Sequence, residues 1–368
     1  YRSLRSLADA GVDLDVVSPR PMAPPIGPHS EYATLPIREQ WGAYEIHRPK
    51  FLYLLPKRLF YGLAGRSFAS RLTAYADDTF EVPDVAHAGH IYLDGYGLLP
   101  YVREHDIPLF VVAHGTILNT LPSQPRSVRA KVEETLDAAT GVLCVSDALA
   151  TKARRLTAPE KVSTVPLGAD PSNFPVEREA AIRDEFGFAD DSAVVLFVGR
   201  FSAAKGVPEI LDIVPSFSAP DVEFVFVGHG GDLRPAIRKT LRRTGRSTRV
   251  HWNLSPVAVR RLFAVADVLV LPSRSEGRPT VVYEAMASET AVLASTVGGI
   301  PEQVVDGETG RLVPPEDSAA LEEALGSMVA DRARLAAMGK RGHARLREAG
   351  WTWKDHARRV REHHREVL

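Results

Sequence analysis

The sequence predicts an α/β protein made of two doubly wound domains, each a parallel sheet covered by helices. Three observations carry that prediction. Short apolar runs alternate with amphipathic stretches along the whole chain, the signature of successive βαβ units. The chain has 368 residues, more than one ordinary domain holds and a comfortable length for two. Residues 166–179 combine prolines and turn residues with little apolar sequence, and read as the boundary.

The elements follow in order. Residues 1–10 form an amphipathic helix with Leu4, Leu7 and Ala8 on one face and Gly11 as its cap. An α/β domain that opens in mid-helix is expected to lack its first strand. Strands are predicted at 14–18, 84–88, 108–113, 142–146 and 162–165, then at 194–198, 222–227, 249–252, 268–271 and 291–294. The expected domains are 1–170 and 171–350, with 351–368 a terminal helix, anchored by Trp351 and Trp353, that returns to the first domain. Residues 38–72 interleave aromatics (Trp41, Tyr44, Phe51, Phe68) with bases (Arg48, Lys50, Arg66, Arg71). They read either as a helical hairpin with its aromatics in the core or as a surface that touches anionic lipid or a lipid-linked acceptor.

Composition excludes several classes. Hydrophobic residues make up 45% and charged residues 25%, ordinary for a soluble enzyme, and the net charge of -1 gives no basic excess for nucleic acid. The one cysteine, Cys144, lies in an apolar run and reads as a buried thiol. No apolar run approaches the roughly 20 residues of a membrane helix, and no secretory leader is apparent. The expected location is cytoplasmic, with 38–72 the candidate for peripheral contact at the inner face of the cell membrane.

One stretch carries most of the chemistry. Residues 272–287 read Pro-Ser-Arg-Ser-Glu-Gly-Arg-Pro-Thr-Val-Val-Tyr-Glu-Ala-Met-Ala, directly after an apolar strand. A strand, a Gly/Pro turn and a helix opening near Pro279 aim backbone N–H groups at a ligand, and such a helix N-terminus suits a diphosphate. Glu276 lies in the turn and Glu284 within the helix, so both can face one crevice and accept paired hydrogen bonds from vicinal hydroxyls. Two glutamates at this spacing are common on solvated surfaces; the whole string is not.

That string resembles the Glu-x7-Glu motif of the family 4 retaining glycosyltransferases. Val297-Gly298-Gly299-Ile300-Pro301-Glu302 and Asp306 to Val313 continue the likeness, as does Gly199-Arg200 with Lys205-Gly206. The resemblance implies the GT-B fold, two Rossmann-like domains facing a central cleft. It also implies retention of configuration and a nucleoside-diphosphate-sugar donor. Arg200 and Lys205 would neutralise the donor diphosphate, Glu284 would hold the ribose, and Glu276 and His114 would hold the transferred sugar, His114 as an orienting residue. Gly277, Arg278, Pro279, Thr280 and Val281 would line the donor site, together with the Gly228 and Gly230 turn and with Trp252 and Asn253 near the base. Trp252 reads equally well as core. His87 would be structural or at the crevice edge. Val145-Ser146-Asp147 and Pro166 to Asp170 match family turns more loosely. One departure is local: after Ala287 this chain reads Ser288-Glu289-Thr290-Ala291, where the family has a turn glycine and a proline, and a local cost is expected.

The implied reaction is hexosyl transfer from a UDP- or GDP-sugar to a glycan, lipid-linked or small-molecule acceptor, in cell-surface glycan or glycolipid synthesis. The leaving phosphate would help to deprotonate the acceptor. No cofactor and no metal are expected: the nearest Asp-x-Asp, Asp13 to Asp15, stands alone at a strand start. Three rivals share the fold: a nucleotide-sugar epimerase, a non-catalytic nucleotide-sugar-binding protein and a pyridoxal-phosphate-dependent phosphorylase. The Arg200/Lys205 and Glu276/Glu284 pairings argue against the first, and no lysine has a setting that suggests the last.

Overall fold

The computed structural model describes residues 2–22, 30–52, 61–175, 180–219, 221–244 and 248–368. The chain divides into two compact units. One comprises Tyr1–Pro166 with His356–Leu368, the other Leu167–Asp355.

The second unit is built on a six-stranded parallel sheet. Its strands are Ala193–Val198, Val222–Gly228, Thr248–Trp252, Val268–Leu271, Ala291–Ser295 and Gly310–Val313. Numbered in that order, they lie 3-2-1-4-5-6 across the sheet. Continuous apolar runs such as Ala-Val-Val-Leu-Phe-Val and Val-Leu-Val-Leu suit this position, because helices cover both faces of a parallel sheet. Val195 pairs with both Phe224 and Val268, which fixes the register at the centre. Phe197, Phe217, Phe224, Phe226, Phe263 and Tyr283 fill the core. Side-chain caps start three helices: Ser255 accepts from Ala258 N, Asp317 from Ala320 N and Asp331 from Arg334 N. The last strand, Gly310–Val313, was seen in the sequence as a motif and not as a strand. In such a sheet the strand order reverses between the first and fourth strands, and ligands bind outside the carboxyl ends at that point.

The first unit holds a four-stranded parallel sheet of Ala86–Ala88, Leu109–Ala113, Gly141–Cys144 and Val162–Thr164, in chain order. Cys144 is buried in it, and burial pushes its thiol up to about 12. Ser146, which the sequence placed in a family turn, caps helix Asp147–Ala153 by accepting from Leu149 N. Val16–Val17 pairs with Tyr44–His47 in a separate small sheet.

Residues 38–72 are not a helical hairpin. Arg38–Trp41 and Tyr44–His47 form an antiparallel β-hairpin, Lys50–Phe51 is a third strand, and one helix spans Tyr61–Thr79. Residues 53–60 lie outside the described residues. Period-two alternation prevails here: Tyr44 and Ile46 are buried, and Arg48 is buried in an ion pair with Glu39 at 2.6 Å. Phe51 packs on Phe68 from the helix, edge to face at 5.0 Å.

Helix Trp353–Arg365 contributes its residues from His356 onward to the first unit. His356 Nδ1 donates to the Pro166 carbonyl at 2.9 Å, and its Nε2 accepts from Ser3 Oγ at 2.8 Å. His364 Nε2 lies 3.1 Å from His87 Nδ1, and its ring leans on Phe110. Burial and the facing imidazoles push His87 down to about 3 and His364 down to about 4, so the pair is neutral at pH 7.

A candidate donor site at the sheet's reversal point

Two loops meet where the strand order of the second unit reverses. The first leaves strand Ala193–Val198, turns at Ala203–Lys205 and enters helix Val207–Ile213 at Gly206. The second leaves strand Val268–Leu271 and enters helix Thr280–Ala287 after Pro279. Their backbones touch. Gly206 has φ +70°, and a Cβ there would lie 2.0 Å from the Pro272 carbonyl oxygen, so no other residue fits. Arg274 N donates to the Ala204 carbonyl at 3.0 Å.

This contact brings the two sequence motifs together. Lys205 Nζ lies 2.6 Å from Glu276 Oε1, and Ser273 Oγ donates to the same oxygen at 2.7 Å. Glu276 is buried and Lys205 a quarter exposed. From below, Ser295 Oγ donates to the Ser273 carbonyl. The Gly298-Gly299 pair is a backbone prop: Gly299 N donates to the Gly277 carbonyl at 2.7 Å, and a Cβ at Gly298 would lie 2.1 Å from the Glu276 carbonyl oxygen. Beneath the loop, buried Glu209 accepts two hydrogen bonds from Arg274, which also pairs with Glu316.

Helix Thr280–Ala287 starts without a side-chain cap. Val282 N turns back to the Pro279 carbonyl at 3.3 Å, and the N–H groups of Thr280 and Val281 head the helix at the positive end of its dipole, where an anion is favoured. Thr280, Val281 and Glu284 are half-buried on it. Arg200 is exposed and makes no ion pair among the described residues. Across the first loop, Asn253 N donates to the Gly228 carbonyl at 3.1 Å, and Asn253 and Gly230 both take left-handed backbone conformations.

Arg278 and Trp252 also make contacts within the protein. The Arg278 side chain is buried. It pairs with Glu302 at 2.9 Å and lies over the Trp351 ring at 4.8 Å. Trp252 is half-buried with its edge on Phe201, and the Arg234 guanidinium lies 3.8 Å over its ring. Ser273, Ser295 and Glu209 were not anticipated. Ser295 and Glu209 find their partners in other elements, whereas Ser273 lies inside the motif, three residues before Glu276 in the same loop.

His114 belongs to the first unit, at the end of strand Leu109–Ala113. Its ring lies 5.3 Å from that of His90, which bonds Asp94 at 2.9 Å. Although one edge is open to solvent, the enclosing protein and the facing His90 lower its pKa, so the ring is neutral at pH 7. Asp77, Glu104 and His105 form a group of metal-type ligands among the described residues, an exposed cluster in which His105 already bonds Asp77 at 2.8 Å.

Residues 178–345 match the model of the glycosyl transferases group 1, and residues 1–173 that of glycosyltransferase family 4. An α-maltose-1-phosphate synthase of Mycobacterium tuberculosis is 32% identical over 283 residues, 68% of this chain and 71% of that protein. The chain belongs to the family 4 glycosyltransferases. A Bacillus subtilis glycosyltransferase named for teichuronic acid biosynthesis is 29% identical over 330 residues, 88% of this chain and 82% of its own length. A D-inositol 3-phosphate glycosyltransferase of Nocardia farcinica is 36% identical over 206 residues, 53% of this chain but only 45% of that protein. Among solved structures, sucrose-phosphate synthase from Thermosynechococcus elongatus superposes with a TM-score of 0.82 at 23% identity, over 98% of this chain and 90% of that one. Anabaena HepE in complex with UDP and glucose gives 0.72 at 19% identity, over 86% and 85%. These likenesses establish the GT-B fold.

Proposed function

We propose that this glycosyltransferase moves a hexosyl group from a UDP- or GDP-sugar to a glycan, lipid-linked or small-molecule acceptor, with retention of configuration. The observation that carries the reading is the Lys205–Glu276 pair, set beside an uncapped helix N-terminus where the strand order reverses. That arrangement supplies fixed positive charge for a leaving diphosphate and a buried carboxylate for sugar hydroxyls. An incoming diphosphate would share Lys205 with Glu276, and Arg200 would close on it from the rim. Glu284 would take the ribose. His114 would orient the transferred sugar as a neutral ring, donating or accepting a hydrogen bond without carrying charge. HepE, whose structure holds UDP and glucose, supports a uridine donor by analogy. The same residues need no metal for charge neutralisation, so transfer is expected to proceed in chelator.

The test is thermal unfolding with UDP, GDP, ADP and their sugar conjugates, in chelator, with Lys205→Ala as control. A ligand at about a hundred times its Kd adds about 2.7 kcal/mol, a shift of several degrees. A shift for one base, lost in the control, supports the donor site. No shift with any of them overturns the reading.

A further inference from the structure

A second charged feature lies outside the proposed donor site. Helix Arg234–Thr244 reads Arg-Pro-Ala-Ile-Arg-Lys-Thr-Leu-Arg-Arg-Thr and holds no acidic residue. Ile237 is fully buried and fastens the helix to its unit. On the opposite side Arg234, Arg238, Lys239 and Arg242 are exposed, and with Pro235 they line a shallow groove of about 520 Å³. None of the four makes an ion pair with a carboxylate among the described residues; Arg234 alone has a partner, the Trp252 ring.

This arrangement costs the helix stability. Arg234, Arg238 and Arg242 are spaced i, i+4, i+8, so like charges repel along one face. Arg234 in the first turn also opposes the helix dipole. The whole chain carries a net charge of -1, so the cluster is local and not part of a generally basic protein. A surface that breaks local rules in this way is expected to serve binding.

We propose that this helix face docks the protein on an anionic lipid surface through headgroup phosphates. Three features favour a membrane over other polyanions. The cations run in a row roughly 6 Å apart along the helix, so a plane of headgroups can meet them together. Among the described residues the aromatic beside them is Trp252, whose ring is engaged by Arg234 and Phe201, so the row itself offers no ring on which a run of nucleobases could stack. Ile237 is buried in the helix's own unit, so the contact is electrostatic and reversible, without insertion.

The experiment is sedimentation of the full chain with vesicles of phosphatidylcholine alone, and with vesicles containing phosphatidylglycerol. Binding is expected only to the latter. The triple variant Arg238→Gln, Lys239→Gln, Arg242→Gln should bind on the order of 100-fold more weakly, at about fivefold per cation removed. Raising the salt should weaken wild-type binding as the charges are screened. Melting temperature and donor-nucleotide shifts, which this variant should retain, separate lost docking from lost folding. Equal binding by wild type and variant would overturn the proposal and move the contact elsewhere, to residues 38–72 for instance. So would absence of binding to phosphatidylglycerol vesicles, or binding to an acidic polysaccharide or nucleic acid in preference to them.

Discussion

Lys205 and Glu276 hold each other in place, and the proposed function gives the same pair its chemistry. Removing the lysine takes the paired cation from a buried carboxylate to which Ser273 still donates, so Lys205→Ala should lower the melting temperature more than Glu276→Gln does. In steady-state assays both should lose turnover by roughly 10²–10³, the scale of one electrostatic contact made in the transition state. Near wild-type rates in both would remove the pair from catalysis. Glu289 offers a cleaner stability test. It stands where the family likeness leads one to expect glycine, and its φ is +54°. Left-handed backbone costs a non-glycine residue about 1–2 kcal/mol, partly offset by the extra freedom glycine has when unfolded. Glu289→Gly should therefore raise stability by somewhat under ~1 kcal/mol, read as a higher denaturant midpoint with an unchanged slope. At this scale the sequence was informative where a motif departed from its relatives. It was silent where a partner was set by folding: nothing in the string shows that Glu209 would lie beneath Arg274.

Among elements, the junction of the two loops depends on Gly206. Gly206→Ala must push the Pro272 backbone aside and also strain a φ of +70°, so Lys205 should lose its register with Glu276. Donor-nucleotide shifts should vanish in this variant even where circular dichroism still reports a folded protein. The His87–His364 contact makes the terminal helix sensitive to pH. Both pKa values are lowered from 6.5 in the folded chain, to about 3 and about 4, so the unfolded chain binds more protons as pH falls. Stability is then unaffected above pH 6.5 and declines as pH drops from there towards 4. His364→Gln should flatten that decline in melting curves taken across the range; an unchanged slope would place the sensitivity elsewhere. Long apolar strands were legible because a parallel sheet buries both faces. The hairpin over 38–47 is written only in a short period-two alternation, overlaid by aromatics that suit a helix face equally well, with Gly42 at the turn between the two strands.

For the molecule as a whole, the alternation of elements carried most of the fold, and the reversal of strand order then located the candidate site without further help. The acceptor was not legible. Acceptor pockets are made by side chains from several elements, and no short string in this chain specifies one.

The first unit is discontinuous: residues 167–355 intervene before His356–Leu368 can complete it. Synthesis runs from the amino end at about 5–20 residues per second, so the early half waits roughly 10–40 s for its closing piece. Through that interval His87 lacks its partner and Phe110 lacks its ring neighbour. The nascent chain is thus expected to expose this part of the first unit until residue 356 and those after it emerge. A chain cut after Asp355 and tethered to the ribosome by an added linker long enough to clear the exit tunnel should present a protease-sensitive first unit beside a protected second one.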